Sequence, residues 1–581
     1  MTESLRIANC SGFYGDRIAA AKEMVEDGPI DFLTGDYLAE LTMMILLKDK
    51  TRKEDLGYAR TFLRQLGEVA ETCAKKGIKI VVNAGGLNPS GLAQASENIY
   101  SELGLQARVA YTTGDDLLPR LDELQDRGEA LAHLDKGIPL SELGSPVLSA
   151  NAYLGAFGIV EALNQGADIV ICPRVTDAAV TLGPAAWKFG WARDDWDQLA
   201  AGVVAGHIIE CGSQCTGGNY AFYNEVPDLS HPGFPIAEMY ADGSFVVTKH
   251  EGTGGLVSVG TVTAQLLYEI GSTRYANPDV ISRFDTIQLE QEGPDRVLVS
   301  GIRGEPAPPT TKVCMNYEGG YKNSTTFAMT GPDVEAKARV AENAFWGYAG
   351  GKDQFIETRS TLAHGGPAET EAFGLLTLGA RAAEEGPVGR KFWNAGVEMG
   401  LANYPGFKTV SSSRGANQIT VYWPALVSSD VIDERVVFDG KETPVAPPQT
   451  APITDDIPVP SAPAGKVPSG PTRNVPLGTV AGARSGDKGG NANVGFWTRS
   501  DEAYLWLEQF LTADKLREMY PEAAQMKVER FELPNILSLN FVVHGLLGDG
   551  VSASLRTDAQ AKVLCEELRR VVVPIPESLL G

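Results

Sequence analysis

Through the first 190 residues, short and mostly apolar runs alternate with longer stretches in which apolar residues recur every three to four positions. The runs are Ile7–Cys10, Ile30–Leu33, Ile78–Asn83, Ala107–Tyr111, Val147–Ala150 and Ile169–Cys172; the periodic stretches include Tyr58–Lys76 and Gly155–Gln165. Runs of this length suit strands buried on both faces, and a 3.6-residue period suits a helix lying across them. Repeated strand–turn–helix units predict an α/β domain with a mainly parallel sheet, a doubly wound arrangement being favoured over a barrel.

From 191 to 442 the pattern is mixed. Strand-like alternation at Ser244–Thr248 and Asp295–Arg303 sits beside helical patterning at Val334–Phe345 and Gly374–Glu385. Residues 443–476 carry ten prolines and few large apolar side chains. Proline removes backbone donors and favours extended chain, so this stretch reads as a semi-rigid linker between a large domain, 1–442, and a small one, 477–581. The small domain reads as strands at Pro476–Ala481, Ala492–Thr498, Val528–Glu532 and Ser538–Val543, with helices at Asp501–Leu511 and Ala559–Arg570. Two helices against a largely antiparallel sheet predict a ferredoxin-like α+β fold.

Parallel sheets bind ligands outside the carboxyl ends of their strands, so the residues that follow the apolar runs are the first candidates. Asp16, Arg17, Asp36, Asn83, Asn151, Arg174 and Asp177 all lie there. Arg174, directly after an apolar strand and a proline, is placed to meet a carboxylate or phosphate. Asp177 is equally a helix cap.

Two glycine turns stand out, ECGSQCTGGNY at Glu210–Tyr220 and HEGTGG at His250–Gly255. Gly217 and Gly218 allow unusual backbone angles and close approach of a ligand, or simply a tight turn. The second turn lies between a predicted strand and a helix at Val262–Ile270. Glu251, Gly252, Thr253, Gly254 and Gly255 thus form a candidate anion cradle, with His250 an acid–base group beside it. His207, Cys211 and Cys215 are a weak metal-ligand spacing, and no metal is expected. No Walker A sequence, dinucleotide fingerprint, nucleophile elbow or His-Glu-x-x-His pattern occurs, and no nicotinamide, flavin or other cofactor is expected. In the small domain, the charged residues Arg484, Asp487 and Lys488 of ARSGDKGGNANVG read as a glycine-rich loop that binds an anion or docks on the large domain. The apolar Leu533–Leu555 reads as core or as a subunit interface.

Composition narrows the partners. With 74 acidic and 50 basic residues the net charge is −24, which argues against nucleic acid and anionic membrane surfaces. No signal peptide or membrane span is apparent, and the seven cysteines are few for 581 residues, so a reduced cytoplasmic setting is expected. A chain of this kind is expected to form a homo-oligomer and to bind a small molecule.

The segments NCSGFYGDR (Asn9–Arg17), DFLTGDY (Asp31–Tyr37), NAGGLN (Asn83–Asn88), ICPRVTD (Ile171–Asp177), the two glycine turns, YANPD (Tyr275–Asp279) and YEGGY (Tyr317–Tyr321) together resemble the acyclic terpene utilisation AtuA family. Arg484–Gly495 and Leu533–Leu555 resemble its ferredoxin-fold domain. The resemblance implies a role in breakdown of citronellol- and geraniol-type terpenes, beside acyl-CoA carboxylases, hydratases and dehydrogenases, with an acyl-CoA as ligand. The expectation is an acyl-CoA lyase, hydratase or hydrolase with Asp36 or Asp177 as base. The alternatives are a scaffold subunit of such a pathway and a metal hydrolase built on His207, Cys211 and Cys215.

Overall fold

A computed structural model of the chain describes residues 3–365, 373–454 and 461–581. The elements that frame the site are, in chain order, β1 (Ser4–Asn9), α1 (Ala20–Glu26), β2 (Phe32–Gly35), α2 (Glu40–Arg52), α3 (Arg60–Lys76), β3 (Lys79–Val82), α4 (Pro89–Glu102), β4 (Val109–Thr113) and α5 (Leu121–Asp126). They continue through β5 (Val147–Ala152), α6 (Phe157–Asn164), β6 (Ile169–Ile171), α7 (Ala179–Phe189), α8 (Trp196–Ile209), β7 (Pro235–Tyr240), β8 (Phe245–Lys249) and α9 (Val259–Leu266).

Strands β1, β2, β3, β6 and β4 lie side by side in that order, all parallel. Successive residues of each strand face opposite sides, and both sides are covered. Met24, Phe62, Leu66 and Leu92 of α1, α3 and α4 share one core with Ala8, Leu33, Ile80 and Val82. Ile159, Leu182 and Val203 of α6, α7 and α8 share the other core with Ile7, Phe32, Val81 and Val170.

The mainly parallel, doubly wound expectation needs correction. Among the described residues these five strands are the centre of an eleven-stranded mixed sheet whose path ends at two edges, Gln288–Gly293 and Lys441–Pro444. After α8 the chain returns not by helical crossovers but by hairpins. Strand β7 runs antiparallel to β1, and β8 pairs with β7 across a tight turn in which Gly243 has φ +88°. At the far side Arg435–Phe438 adds antiparallel to β4.

Strand β5, expected in the parallel sheet, instead pairs with the 21-residue strand Thr310–Thr330 of a second, antiparallel sheet. Gly374–Glu385, expected as helix, is strand through Ala382, bonded on both sides, by Thr310–Thr330 and by Glu357–Gly365. Its buried Leu376, Leu378 and Ala380 follow a two-residue period that pairing on both edges fixes.

The C-terminal part is a four-stranded antiparallel sheet ordered Gly482–Lys488, Asn491–Trp497, Ser538–Val543, Val528–Leu533. Helices Asp501–Phe510 and Leu564–Arg569 pack against it around Phe496, Leu507, Phe541 and Leu568. The glycine-rich stretch expected as a loop is a hairpin that turns at Gly489-Gly490. The strand expected at Pro476–Ala481 lies slightly earlier, at Thr472–Pro476, where it pairs with Val572–Pro576. Among the described residues no helix is long and apolar enough to cross a membrane.

Candidate functional site

The parallel centre brings the ends of β1, β2, β3 and β6 together, and with them Asn9, Asp36, Asn83 and Arg174. Each is buried. The Asn9 amide donates to the carbonyls of Ile209 and Glu210, at 2.7 and 2.9 Å, and so pins the end of α8 beside β1. The Asn83 amide donates to Asp36 Oδ1 at 2.5 Å, while its own oxygen accepts from the Tyr37 N–H. Arg174 donates to Asp177 Oδ1 at 2.8 Å and stacks 4.1 Å from the centre of the Tyr153 ring. The Tyr153 hydroxyl donates to Glu40 Oε1 at 3.1 Å, and Lys312 lies 3.4 Å from the same oxygen.

The acids of this cluster fall into two states. Burial pushes Asp36 and Glu210 well above the usual carboxylate range, and the nearby Asp177 pushes both further, so their neutral forms are favoured. Glu210 also stands at the C-terminal, negative end of α8, where an anion is disfavoured, and its Oε2 is buried without a partner. Burial acts the same way on Glu40, but Lys312 and Arg174 outweigh it and hold that carboxyl at about 2.

The C-terminal part completes the cluster. Glu269, two residues past the cap of α9, has a left-handed backbone with φ +55°. Its N–H donates to Asn493 Oδ1 at 2.9 Å, its carbonyl accepts from Lys488 Nζ at 3.0 Å, and its Oε1 accepts from Lys562 Nζ at 3.1 Å. Asn493 and Asn540 also donate to the carbonyls of Leu267 and Gly271, each at 2.7 Å. Burial, then Asp487 and Glu40, raise the Glu269 carboxyl, whereas burial brings Lys562 down to about 8. Access is graded. Asp36 and Glu210 are sealed, while the side chains of Asp177, Glu269 and Lys562 keep 32, 36 and 32 % of their surface. Lys488 is exposed. A sealed floor of neutral acids thus lies under an open rim that carries both signs of charge.

Of the residues singled out in the sequence, the structure gathers Asp36, Asn83, Arg174 and Asp177 here. Asn151 lies just behind, donating to Asp115, whose carboxylate also accepts from the Arg174 N–H. Asp16 is spent on the Gly12 and Arg17 N–H groups, and Arg17 on Glu23. Arg484 bonds Gln214 and stacks on Tyr268, a docking contact between the two parts of the chain.

The glycine-turn cradle is corrected. The His250 ring is bonded to the Met24 carbonyl and packed on Gly28, not among these acids. Helix α9 begins at a capping box on Ser258, three residues beyond HEGTGG, and its entry is filled by protein acceptors: Asp295 takes the Val257 N–H and Gln291 the Val259 N–H. The two glycine turns are packed against each other's surroundings. Gly254 N–H donates to His231 O and Leu256 N–H to Thr216 O, and a Cβ on Gly255 would lie 2.1 Å from Pro232 O. A Cβ on Gly217 would meet Val226, and Gly218 N–H closes on Ser213 O. Glu251 and Gly252 are exposed at the tip, and Thr253 bonds back to His250 O. These glycines serve close backbone packing.

His207, Cys211 and Cys215 do not converge either. The His207 ring packs on Tyr275 and Phe284, Cys215 is in the core, and among the described residues no group of three or more His, Cys, Asp or Glu could hold a metal. Sequence reasoning missed Glu40, Glu210, Glu269, Lys312 and Lys562. For Glu210 a signal was present: it closes AGVVAGHIIE, a helix apolar on all faces, where an acid has no solvent to turn to.

Residues 5–438 match the profile of the acyclic terpene utilisation family protein AtuA, and residues 475–574 match the AtuA ferredoxin-like domain. No curated protein and no solved structure matches the chain. The first match covers well over half of the sequence and contains every acid of the cluster except Asp487, so the chain belongs to the acyclic terpene utilisation AtuA family.

Proposed function

We propose that this chain is an enzyme of hydratase or lyase type that moves a proton at the carbon next to a thioester carbonyl, its substrate a branched acyl-CoA. The observation that carries this reading is the coexistence, in one cluster, of carboxyls raised by burial and carboxyls paired with cations. That division supplies an acid and a base at the same pH. Asp177, ion-paired with Arg174 and open at the rim, is the base. Glu269, its carboxyl raised and its backbone locked, is the acid that returns the proton. Asp36 and Glu210, neutral beneath them, place no negative charge against an enolate. Lys488 and Lys562, both accessible, take the place of the glycine cradle as the cations that meet the CoA phosphates. A branched skeleton is in keeping with the family. A scaffold subunit would gain nothing from burying several acids together, since each costs stability at neutral pH.

The test is uptake of solvent deuterium. Branched acyl-CoAs and the matching free acids, incubated with the protein in D2O, should gain deuterium next to the thioester carbonyl. Asp177→Asn should slow that exchange about a hundredfold or more. Absence of exchange and of any product with every thioester, or exchange untouched by Asp177→Asn, overturns the proposal.

A further inference from the structure

Residues 334–416 differ from the rest of the chain in charge. They hold nine acidic and nine basic residues, whereas the whole chain carries a net −24. Two helices of this segment, Val334–Ala349 and Arg390–Glu398, lie side by side on one face of the antiparallel sheet and bury Phe345 and Phe392 against Phe327 and Leu378. Their outward sides carry apolar residues where solvent favours charge. Val340 and Val397 are more than half exposed, and Leu401, one turn beyond Val397, is wholly so. Beside the second helix the strand Lys408–Ser412 is bonded, among the described residues, on one edge only, and its Val410 is also more than half exposed. We propose that this face is the contact between two copies of the chain, related by a two-fold axis that sets the two Arg390–Glu398 helices antiparallel.

Charge argues for a second copy over any other occupant. Two chains of net charge −24 repel each other over most of their surface, and a segment of zero net charge is where they can approach with the least opposition. A nucleic acid asks for an excess of basic residues and a basic protein for an excess of acidic ones, and this segment has neither. Exposed apolar side chains gathered on one face mark a surface that another protein covers. In a two-fold contact the same patch lies on both sides, so the patch must complement itself.

The second helix supplies that complement. Arg390 and Lys391 stand in its first turn and Glu398 closes it, the reverse of what the helix dipole favours. Lys391 is engaged, donating to Gln354 Oε1 at 3.0 Å. Arg390 and Glu398 are exposed charges at opposite ends of the helix, about 12 Å apart along its axis. Within one chain each therefore sits at the helix end that disfavours it. An antiparallel second copy, with the axis passing near Asn394, brings Arg390 of each copy to Glu398 of the other. Each charge then meets both an opposite charge and a helix end of the favourable sign. Val397 and Leu401, on the same outward side, lose their exposure in the same step.

The experiment is sedimentation velocity of the full-length protein at micromolar concentration, where the parent should run as a dimer. Leu401→Glu alters a side chain that is wholly exposed, so the fold should be kept while the dimer weakens about tenfold or more. Arg390→Glu sets carboxylates against each other at both ends of the contact and should weaken it as much. Adding Glu398→Arg to Arg390→Glu restores opposite charges across the axis and should restore the dimer, which a folding defect in the single variant could not do. A parent that sediments as a monomer, a dimer indifferent to both single variants, or a double variant no better than Arg390→Glu alone would each overturn the assignment. None of these readouts depends on the chemistry of Asp177 and Glu269.

Discussion

Asp36→Asn should make the protein more stable at neutral pH, and increasingly so as pH rises. In the folded chain Asp36 keeps its proton well above the ordinary carboxylate range because burial and then Asp177 disfavour the anion. The unfolded chain loses that proton near pH 4. Between those two values the folded state holds one more proton than the unfolded one. Stability therefore falls with rising pH by about 1.4 kcal/mol per unit for this group. The penalty is absent below the unfolded value and complete above the folded one. Asparagine cannot ionise, and its remaining oxygen still accepts from Asn83 and the Leu38 N–H, which both bond Oδ1 in the parent. Above the unfolded value the advantage of the variant should therefore grow with rising pH, against a typical folding stability of about 5–15 kcal/mol. Urea melts of parent and variant at three pH values above it, with unchanged m-values, read the difference directly. Glu210→Gln should show the same trend, since burial and Asp177 raise it too. A variant that is less stable at every pH, with a gap that does not move, would refute the neutral-acid floor.

Asn493→Leu removes three bonds at once, to the Glu269 N–H, the Leu267 carbonyl and Asn540, and should cost about 3–5 kcal/mol in urea melts while abolishing deuterium exchange into thioesters. Glu269→Gly suits the left-handed backbone better than glutamate, so its melting temperature should stay close to the parent's or rise, yet exchange should vanish. Gly255→Ala drives a Cβ to 2.1 Å from Pro232 O and 2.6 Å from Thr216 O. It should cost about 2–4 kcal/mol, and whatever folds should bind acyl-CoA as the parent does, as calorimetry would show.

Asp36, Asn83, Arg174 and Asp177 were legible in the sequence because each follows an apolar run and a parallel sheet gathers the ends of its strands whatever their neighbours are. The mixed edges were not legible. A strand such as β7 carries no mark of whether it will meet its neighbour through a crossover or a hairpin. Lys312 reaches Glu40 only because Thr310–Thr330 pairs with β5, a contact made across more than 150 residues. HEGTGG shows the opposite failure. The strand and the glycines are where they were expected and the helix, expected at Val262–Ile270, spans Val259–Leu266, but its entry N–H groups are taken by Asp295, Gln291 and the Ser258 cap while the glycine turn packs on backbone carbonyls. Gly374–Ala382 satisfied both a helical and a strand period, and pairing on its two edges decided between them.

The same non-local logic gives a reason for this chain to couple two domains. A left-handed glutamate costs about 1–2 kcal/mol, and nothing in the local sequence LYEIG offsets that. What holds it is the C-terminal sheet. Asn493 takes the N–H of Glu269, Lys488 its carbonyl and Lys562 its carboxyl oxygen, while Asn540 fixes Gly271 just beyond. Each of these contacts falls on backbone or side chain of one short turn, and each comes from strands or turns that fold around their own core. If the C-terminal domain were only an appendage, its contacts would be spread over a broad surface, and its loss would leave the large domain's acids as they are. Because the contacts converge on Glu269, its loss frees that residue to relax toward an ordinary backbone and withdraws Lys488 and Lys562 from the rim together. On this reading the acid, its orientation and two of the rim cations belong to the interface, and the strand-end carboxyls alone are half a site.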